Sequence, residues 1–258
     1  MEYIAKILGS IMNLIFVVLD QIGVHNIGLG IILFTVIVYM LLMPLTVKQQ
    51  KFTKLQSKMA PELQRIQDKY KGQNQNQEAM TRMNEETQAV YKKYGVSPAG
   101  GCLPMLLQMP VLFALYRVIA DIPAYVDIVK DISTGSEWYY FFGMHITESP
   151  MTLIKEGMAN GSYLVVIAVV AVPVLSAVSQ YFSSWLTQRL NPQPNVQTSQ
   201  NNGTENMTKN MNTMMPLMSA FFCVTLPVGM GIYWIAGAVV SCIQQVAVNW
   251  WLDRKEAV

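Results

Sequence analysis

Six uncharged hydrogen-bonding residues, Ser176, Ser179, Gln180, Ser183, Ser184 and Thr187, recur at i, i+3, i+4, i+7, i+8 and i+11. That spacing is one face of an α-helix. Ser241, Gln244, Gln245 and Asn249 share a face in a later apolar run, while Thr35, Tyr39, Thr46 and Gln108 stand in two earlier ones. Hydroxyls and carboxamides inside hydrocarbon are costly unless they meet one another or water. The chemistry open to them is hydrogen bonding to polar groups that would otherwise be stranded. Around them there is no paired acid and base, no phosphate loop and no intramembrane protease pattern. Cys102, Cys223 and Cys242 lie apart in or beside different apolar runs and read as small buried hydrophobes, and His25 and His145 are isolated. No metal or cofactor site is expected from them.

The elements that must position these groups follow from composition. The 258 residues are 52% hydrophobic and 13% charged, with a mean hydropathy of +0.29. Such a chain is too apolar for an ordinary soluble domain, and several runs approach the ~20 residues that span hydrocarbon. The expected fold is an all-α membrane protein with five spans at 27–47, 98–120, 161–186, 211–228 and 230–250. Pro44 is expected to bend the first span, and Pro104, Pro110 and Pro173 lie in the second and third. Residues 1–26 read as an extracytoplasmic amphipathic helix, uncleaved because no small-x-small site follows its apolar run. Between spans one and two, 48–97 carries ten basic residues and five acids. Its two apolar stripes, broken at Gly72 and a QNQNQ tract, predict an antiparallel helical hairpin.

Lys48, Lys51, Lys54 and Lys58 crowd the end of the first run and mark it as cytoplasmic. Loop 121–160 is then outside, its WYYFF cluster resting on the interface, and 187–210 is a polar cytoplasmic loop with 251–258 as a cytoplasmic tail. With this orientation the embedded polar residues fall only in the inner half of the membrane. Serine and threonine often bond helix to helix, so the serine face alone is open to that reading. Gln108, Gln180, Gln244, Gln245 and Asn249 at matching depth favour a polar vestibule that opens to the cytoplasm and stops short of the outside. A channel needs polar lining throughout, and ion-coupled transport usually uses embedded carboxylates, which the middles of the spans lack. A closed vestibule suits a device that shelters a polar segment while its hydrophobic neighbour enters lipid.

The runs PELQRIQDKYK (61–71), MNEETQAVYKKYGVSPAGGCLPMLLQMPVLFALYR (83–117) and LPVGMGIYW (226–234) resemble the YidC/Oxa/Alb membrane-protein insertases in their five-span form. The resemblance covers roughly 27–250. It implies an insertase and chaperone, not an enzyme, that needs neither ATP nor a cofactor and works alone or beside the Sec translocon. Nascent membrane proteins, the lipid bilayer, the Sec translocon and the ribosome are the implied partners, with no sequence-specific nucleic acid. Thr35, Tyr39, Gln108, Gln180, Ser183, Ser184, Trp234, Gln244 and Gln245 would line the substrate groove. Exposed Met59, Met80 and Met83 on the hairpin would offer substrates an adaptable apolar surface, against the alternative that they form the hairpin core. Members of this type usually carry an arginine in the first-span groove, where this chain has Tyr39, a phenol limited to hydrogen bonds. The rival readings are a small-solute transporter or channel, and a scaffold that only binds the translocon.

Overall fold

The computed structural model describes residues 2–73, 76–96, 103–191 and 221–256. It divides the chain into two units. One comprises Met1–Leu42, Met105–Ser183 and Pro216–Cys242, and the other Met43–Pro104, Ser184–Met215 and Ile243–Val258. The helices in chain order are α1 (Glu2–Gln21), α2 (Ile27–Leu41), α3 (Met43–Lys69), α4 (Gln77–Lys93), α5 (Leu103–Ala120), α6 (Ile122–Tyr125), α7 (Pro150–Ala159), α8 (Tyr163–Leu190) and α9 (Val228–Glu256). Two short strands, β1 (Tyr140–Phe141) and β2 (Met144–His145), separate α6 from α7.

Among the described residues, Tyr163–Leu190 and Val228–Arg254 are long and apolar enough to cross a membrane. The interrupted pair Ile27–Leu41 and Met43–Lys69 makes a third if it counts as one span. The expected spans at 98–120 and 211–228, the polar loop 187–210 and the tract around 74–75 fall partly outside the described residues. So do Cys102 at one end and the interval from 192 to 220. The first span also differs from expectation in where it breaks. Helix α2 ends at Leu41, and Pro44 occupies the first turn of α3. A proline in a first turn lacks only an N–H that would be unpaired anyway, so the interruption falls before the proline. Beyond 250, the expected tail continues as helix to Glu256, because no glycine or proline stops it.

In the first unit α1 has three faces. Ala5, Leu8, Met12, Ile15, Phe16 and Leu19 are buried, with Phe16 against Gly30 of α2. Lys6, Ser10, Asn13 and Asp20 form a polar strip, and Tyr3, Ile7, Leu14 and Val18 form an exposed apolar ridge. A helix seated at a membrane interface needs all three surfaces, for protein, water and lipid. Loop 121–149 caps this arrangement: the Asp127 backbone N–H donates to Asn13 Oδ1 at 3.0 Å.

The β1–β2 ribbon pairs Tyr140 with His145 and Phe141 with Met144. Its two-residue turn puts Phe142 at φ 48° and Gly143 at φ 76°, the primed geometry that glycine accepts and phenylalanine resists. The WYYFF cluster, expected at the interface, packs partly into the fold. Tyr139 is fully buried and stacks on His145, Trp138 stacks on His25 at 4.5 Å, and Phe141 closes over Gly28. Phe142 is the most exposed of the cluster, with 79% of its surface open. His145 is structural: one ring nitrogen meets the Thr134 carbonyl at 2.8 Å and the other Thr147 Oγ1 at 3.1 Å.

In the second unit α3 and α4 fold against one another through Met59, Leu63 and Val90, with Ile66, Tyr91, Tyr94 and Val96 around them. Each helix ends in Lys-Tyr, and each Lys-Tyr clamps a glutamate of the other helix. Lys93 Nζ and Tyr94 Oη each donate to Glu62 Oε1 at 2.8 Å, while Lys69 and Tyr70 both donate to Glu86. The reciprocal contacts make the pair antiparallel. Gly72 and Gly95, at φ 86° and 65°, end the two helices in the left-handed conformation that glycine tolerates best.

These hydrogen bonds, from lysine first and tyrosine second, hold both glutamates below the usual carboxylate range and the two lysines above theirs. A depressed carboxylate stabilises above its unfolded pKa of ~4.3, and that contribution is lost as pH falls toward the depressed value. Hydrogen exchange of the intact protein, corrected for intrinsic rates, is expected to speed up in 59–94 between pH 6 and pH 3. Glu62→Gln should produce the same loosening at pH 7, and unchanged protection in both would show that the clamps do not hold the hairpin.

Candidate functional site

Helix α8 is turned inside out. Ser176 is fully buried, and Ser179, Gln180, Ser183, Ser184 and Thr187 are half-buried. Its other face, Val174, Leu175, Val178, Tyr181, Phe182 and Trp185, is exposed. Helix α9 repeats the pattern, with Gln244 and Asn249 buried while Val239, Ile243, Val246 and Trp250 face outward. In α2 the exposed residues Leu33, Ile37, Met40 and Leu41 are apolar as well. Water would drive the opposite arrangement. Hydrocarbon permits an apolar exterior and makes an outward-facing carboxamide expensive.

In the first unit, Tyr39 on α2 is half-buried and its hydroxyl is hydrogen-bonded to Tyr233 on α9. A Cβ added at Gly237, one turn beyond Tyr233, would lie 2.7 Å from the Tyr39 oxygen and 3.1 Å from Cζ. The phenol is therefore seated in a notch that only glycine leaves open. Thr35 is fully buried but its hydroxyl donates to the Ile31 carbonyl at 2.7 Å. That bond uses the hydroxyl's one proton within its own helix and leaves its oxygen able to accept. Ser179 likewise donates to the Ser176 carbonyl at 2.9 Å. Trp234 is half-buried and packs against the apolar core. Gln108 falls within α5, but its side chain lies outside the described residues.

In the second unit, Thr187 Oγ1 donates to Gln245 Oε1 at 2.7 Å and so joins α8 to α9. Gln188 Nε2 donates to Ser184 Oγ at 3.3 Å. The hairpin methionines depart from the surface role. Met59 is 0% exposed and packs with Leu63 and Val90, Met83 is 8% exposed, and Met80 is half-buried. Met59 is hairpin core and Met83 is buried, so neither offers an open apolar surface. Around the base of the hairpin, Lys54 pairs with Asp253, Lys51 lies over the Trp251 ring at 5.8 Å, and Arg254 stacks on Trp250 at 3.7 Å. Among the described residues no group of histidines, cysteines and acids could hold a metal ion.

The site therefore offers neutral hydrogen bonding inside and hydrocarbon-compatible surface outside. Residues 18–255 match the 60Kd inner membrane protein family. The chain belongs to that family. A "Membrane protein insertase YidC 1" of Streptococcus pyogenes is 33% identical over 87% of this chain and 67% of its own length. A "Membrane protein insertase YidC" of Helicobacter pylori is 30% identical over 94% of this chain and 37% of its own length. One of Nitratidesulfovibrio vulgaris is 31% identical over 90% and 35%. The chain thus spans about a third of the length of the Helicobacter and Nitratidesulfovibrio relatives.

Three positions escaped sequence reasoning. Gly237 gave no signal, since a glycine in an apolar run reads as packing. Gln50 sits among hairpin lysines and reads as solvated, and Asn191 reads as loop, yet both are buried. The notch at Gly237 makes a prediction with a definite sign. Alanine in a helix interior is normally better than glycine by ~0.5–1 kcal/mol. Here Gly237→Ala must displace a hydrogen-bonded ring, so a loss of about 1–3 kcal/mol is expected in thermal or denaturant unfolding in detergent. Tyr39→Ala in the same chain should recover the alanine's advantage. A stabilising Gly237→Ala in the unaltered chain would mean the phenol is not trapped.

Proposed function

We propose that this chain inserts other proteins into the membrane. A hydrophilic segment of the substrate enters from the cytoplasm along the inward-turned polar faces, and its hydrophobic segment leaves between helices into lipid. The observation that carries the reading is helix α8, whose uncharged polar face is turned inward, buried at Ser176 and half-buried from Ser179 to Thr187, while its apolar face is exposed. The insertase names of the relatives support it. On this reading five spans run from an outside N-terminus to a cytoplasmic C-terminus in the cell membrane, and α3–α4 form a cytoplasmic hairpin. The basic bias of 48–97 and the acidic bias of 121–160 support that orientation.

The work is a lowering of a solvation barrier rather than bond chemistry, so no catalytic group, cofactor or ATP takes part. Each polar group sheltered during passage removes about 1–3 kcal/mol, the cost of leaving it without a hydrogen-bond partner. Tyr39 is neutral, so the polar faces would receive substrate tails by hydrogen bonding rather than by attraction to a fixed internal cation. The Sec translocon and ribosomes are candidate partners, with the basic hairpin as the contact.

The test is insertion of a single-span protein with a short polar tail into vesicles containing only the purified chain, scored by protease protection. Insertion without ATP is expected, with Gln180→Leu plus Ser183→Leu slowing it by about tenfold, the effect of ~1.4 kcal/mol on a barrier. Tyr39→Phe and Tyr39→Ala should also slow it, and unchanged rates in both would leave Tyr39 a packing residue. Vesicles that swell in small solutes but fail to insert the protein would favour a transporter and contradict the proposal.

A further inference from the structure

Three buried carboxamides in the second unit stand out because side-chain atoms of each lack a hydrogen-bond partner. Gln50 and Asn249 are 93% and 95% buried by complement of their 7% and 5% exposure, and neither amide atom of either side chain has a hydrogen-bond partner. Asn191, 3% exposed, has its side-chain oxygen in the same condition. These are the costliest neutral groups to leave unpaired.

Their positions coincide. Lys54 of α3 meets Asp253 of α9, and Lys51 lies over Trp251, so the two helices run past each other in the same sense. Gln50 precedes Lys54 by one turn and Asn249 precedes Asp253 by one turn, which places both on the seam that the ion pair closes. On the other side, Thr187 of α8 meets Gln245 of α9. Asn191 follows Thr187 by one turn, as Asn249 follows Gln245. The three amides thus occupy one level, with a satisfied hydrogen bond a turn to one side and a satisfied ion pair a turn to the other. General looseness does not explain a gap bracketed in this way.

We infer that Gln50, Asn191 and Asn249 form a docking site for the main chain of an extended polar polypeptide segment. A carboxamide presents the same donor and acceptor as a peptide group, so the three match N–H and C=O groups of a strand-like segment without reading its side chains. Recognition of that kind is indifferent to sequence and to charge sign. On this inference a segment enters beside Lys54–Asp253, whose side chains are 16% and 68% exposed. The inference rests on the proposed insertase reading and names which part of the substrate is held.

Opposed effects on stability and activity test it. Gln50→Leu and Asn249→Leu remove unpaired amides from a buried place in the intact chain. Each is expected to raise the unfolding temperature in detergent by about 2–4 °C, yet to slow insertion of a single-span protein with an uncharged Ser/Gly tail by about tenfold. The conservative changes Gln50→Asn and Asn249→Gln should keep most of the insertion. Leucine variants that lose stability together with insertion would make the amides structural, satisfied by bound water, and would overturn the inference. So would leucine variants that insert at the unaltered rate. If the unaltered chain itself fails to insert the protein, the insertase reading falls and this site falls with it. If it inserts and the leucine variants match it, only the site falls.

Discussion

The cost of an unpaired polar group in a medium without water is the constraint on which the rest of this structure depends. It explains why α8 and α9 bury amides and hydroxyls and expose valine, isoleucine, leucine and aromatics. It also explains why the hydroxyls of buried Thr35 and half-buried Ser179 bond back to their own helices. An interior assembled from such groups is polar without being charged. Among the described residues the first unit's span α2 carries no ionisable side chain except the Tyr39 phenol, and that phenol is engaged by Tyr233. On the proposed function, such an interior suits polar segments of either charge sign.

Charge is instead gathered where water can reach it. The Lys-Tyr clamps on Glu62 and Glu86 hold α3 to α4, Lys54–Asp253 joins α3 to α9, and Arg254 stacks on Trp250 within α9. Exposed pairs of this kind add little stability individually. Their value is geometric, because they fix which faces of α3 and α9 oppose each other. The level of unpaired amides lies just inside that fringe, where a segment coming from water would first need replacement hydrogen bonds.

Much of this was legible in the sequence, and the illegible part has a physical pattern. The face from Ser176 to Thr187 was readable because helical spacing is a local property, and its inward orientation follows from the solvent. The hairpin was readable from its stripes and from Gly72. What depends on a distant partner was not. Met59 and Met83 could be core or surface until α4 was seen to cover α3. Thr35 gave no sign that its hydroxyl was already committed. Gln50 and Asn191 lie in polar neighbourhoods where burial is the exception. The β-ribbon was missed because two-residue strands leave no periodicity, and Leu42 was missed as the break because Pro44 drew attention to itself.

On the proposed function, water reaches the half-buried residues Ser179, Gln180 and Ser183 of α8 from the cytoplasmic side while the opposite face meets lipid. Single cysteines placed one at a time on α8, in a chain whose Cys102, Cys223 and Cys242 are replaced, can be probed with a membrane-impermeant thiol reagent in oriented vesicles. The account predicts labelling at Ser179, Gln180 and Ser183 from the cytoplasmic side, none there from the outside, and none from either side at Leu175, Val178 or Phe182. Equal labelling on both faces, or labelling of the polar face from the outside, would contradict it.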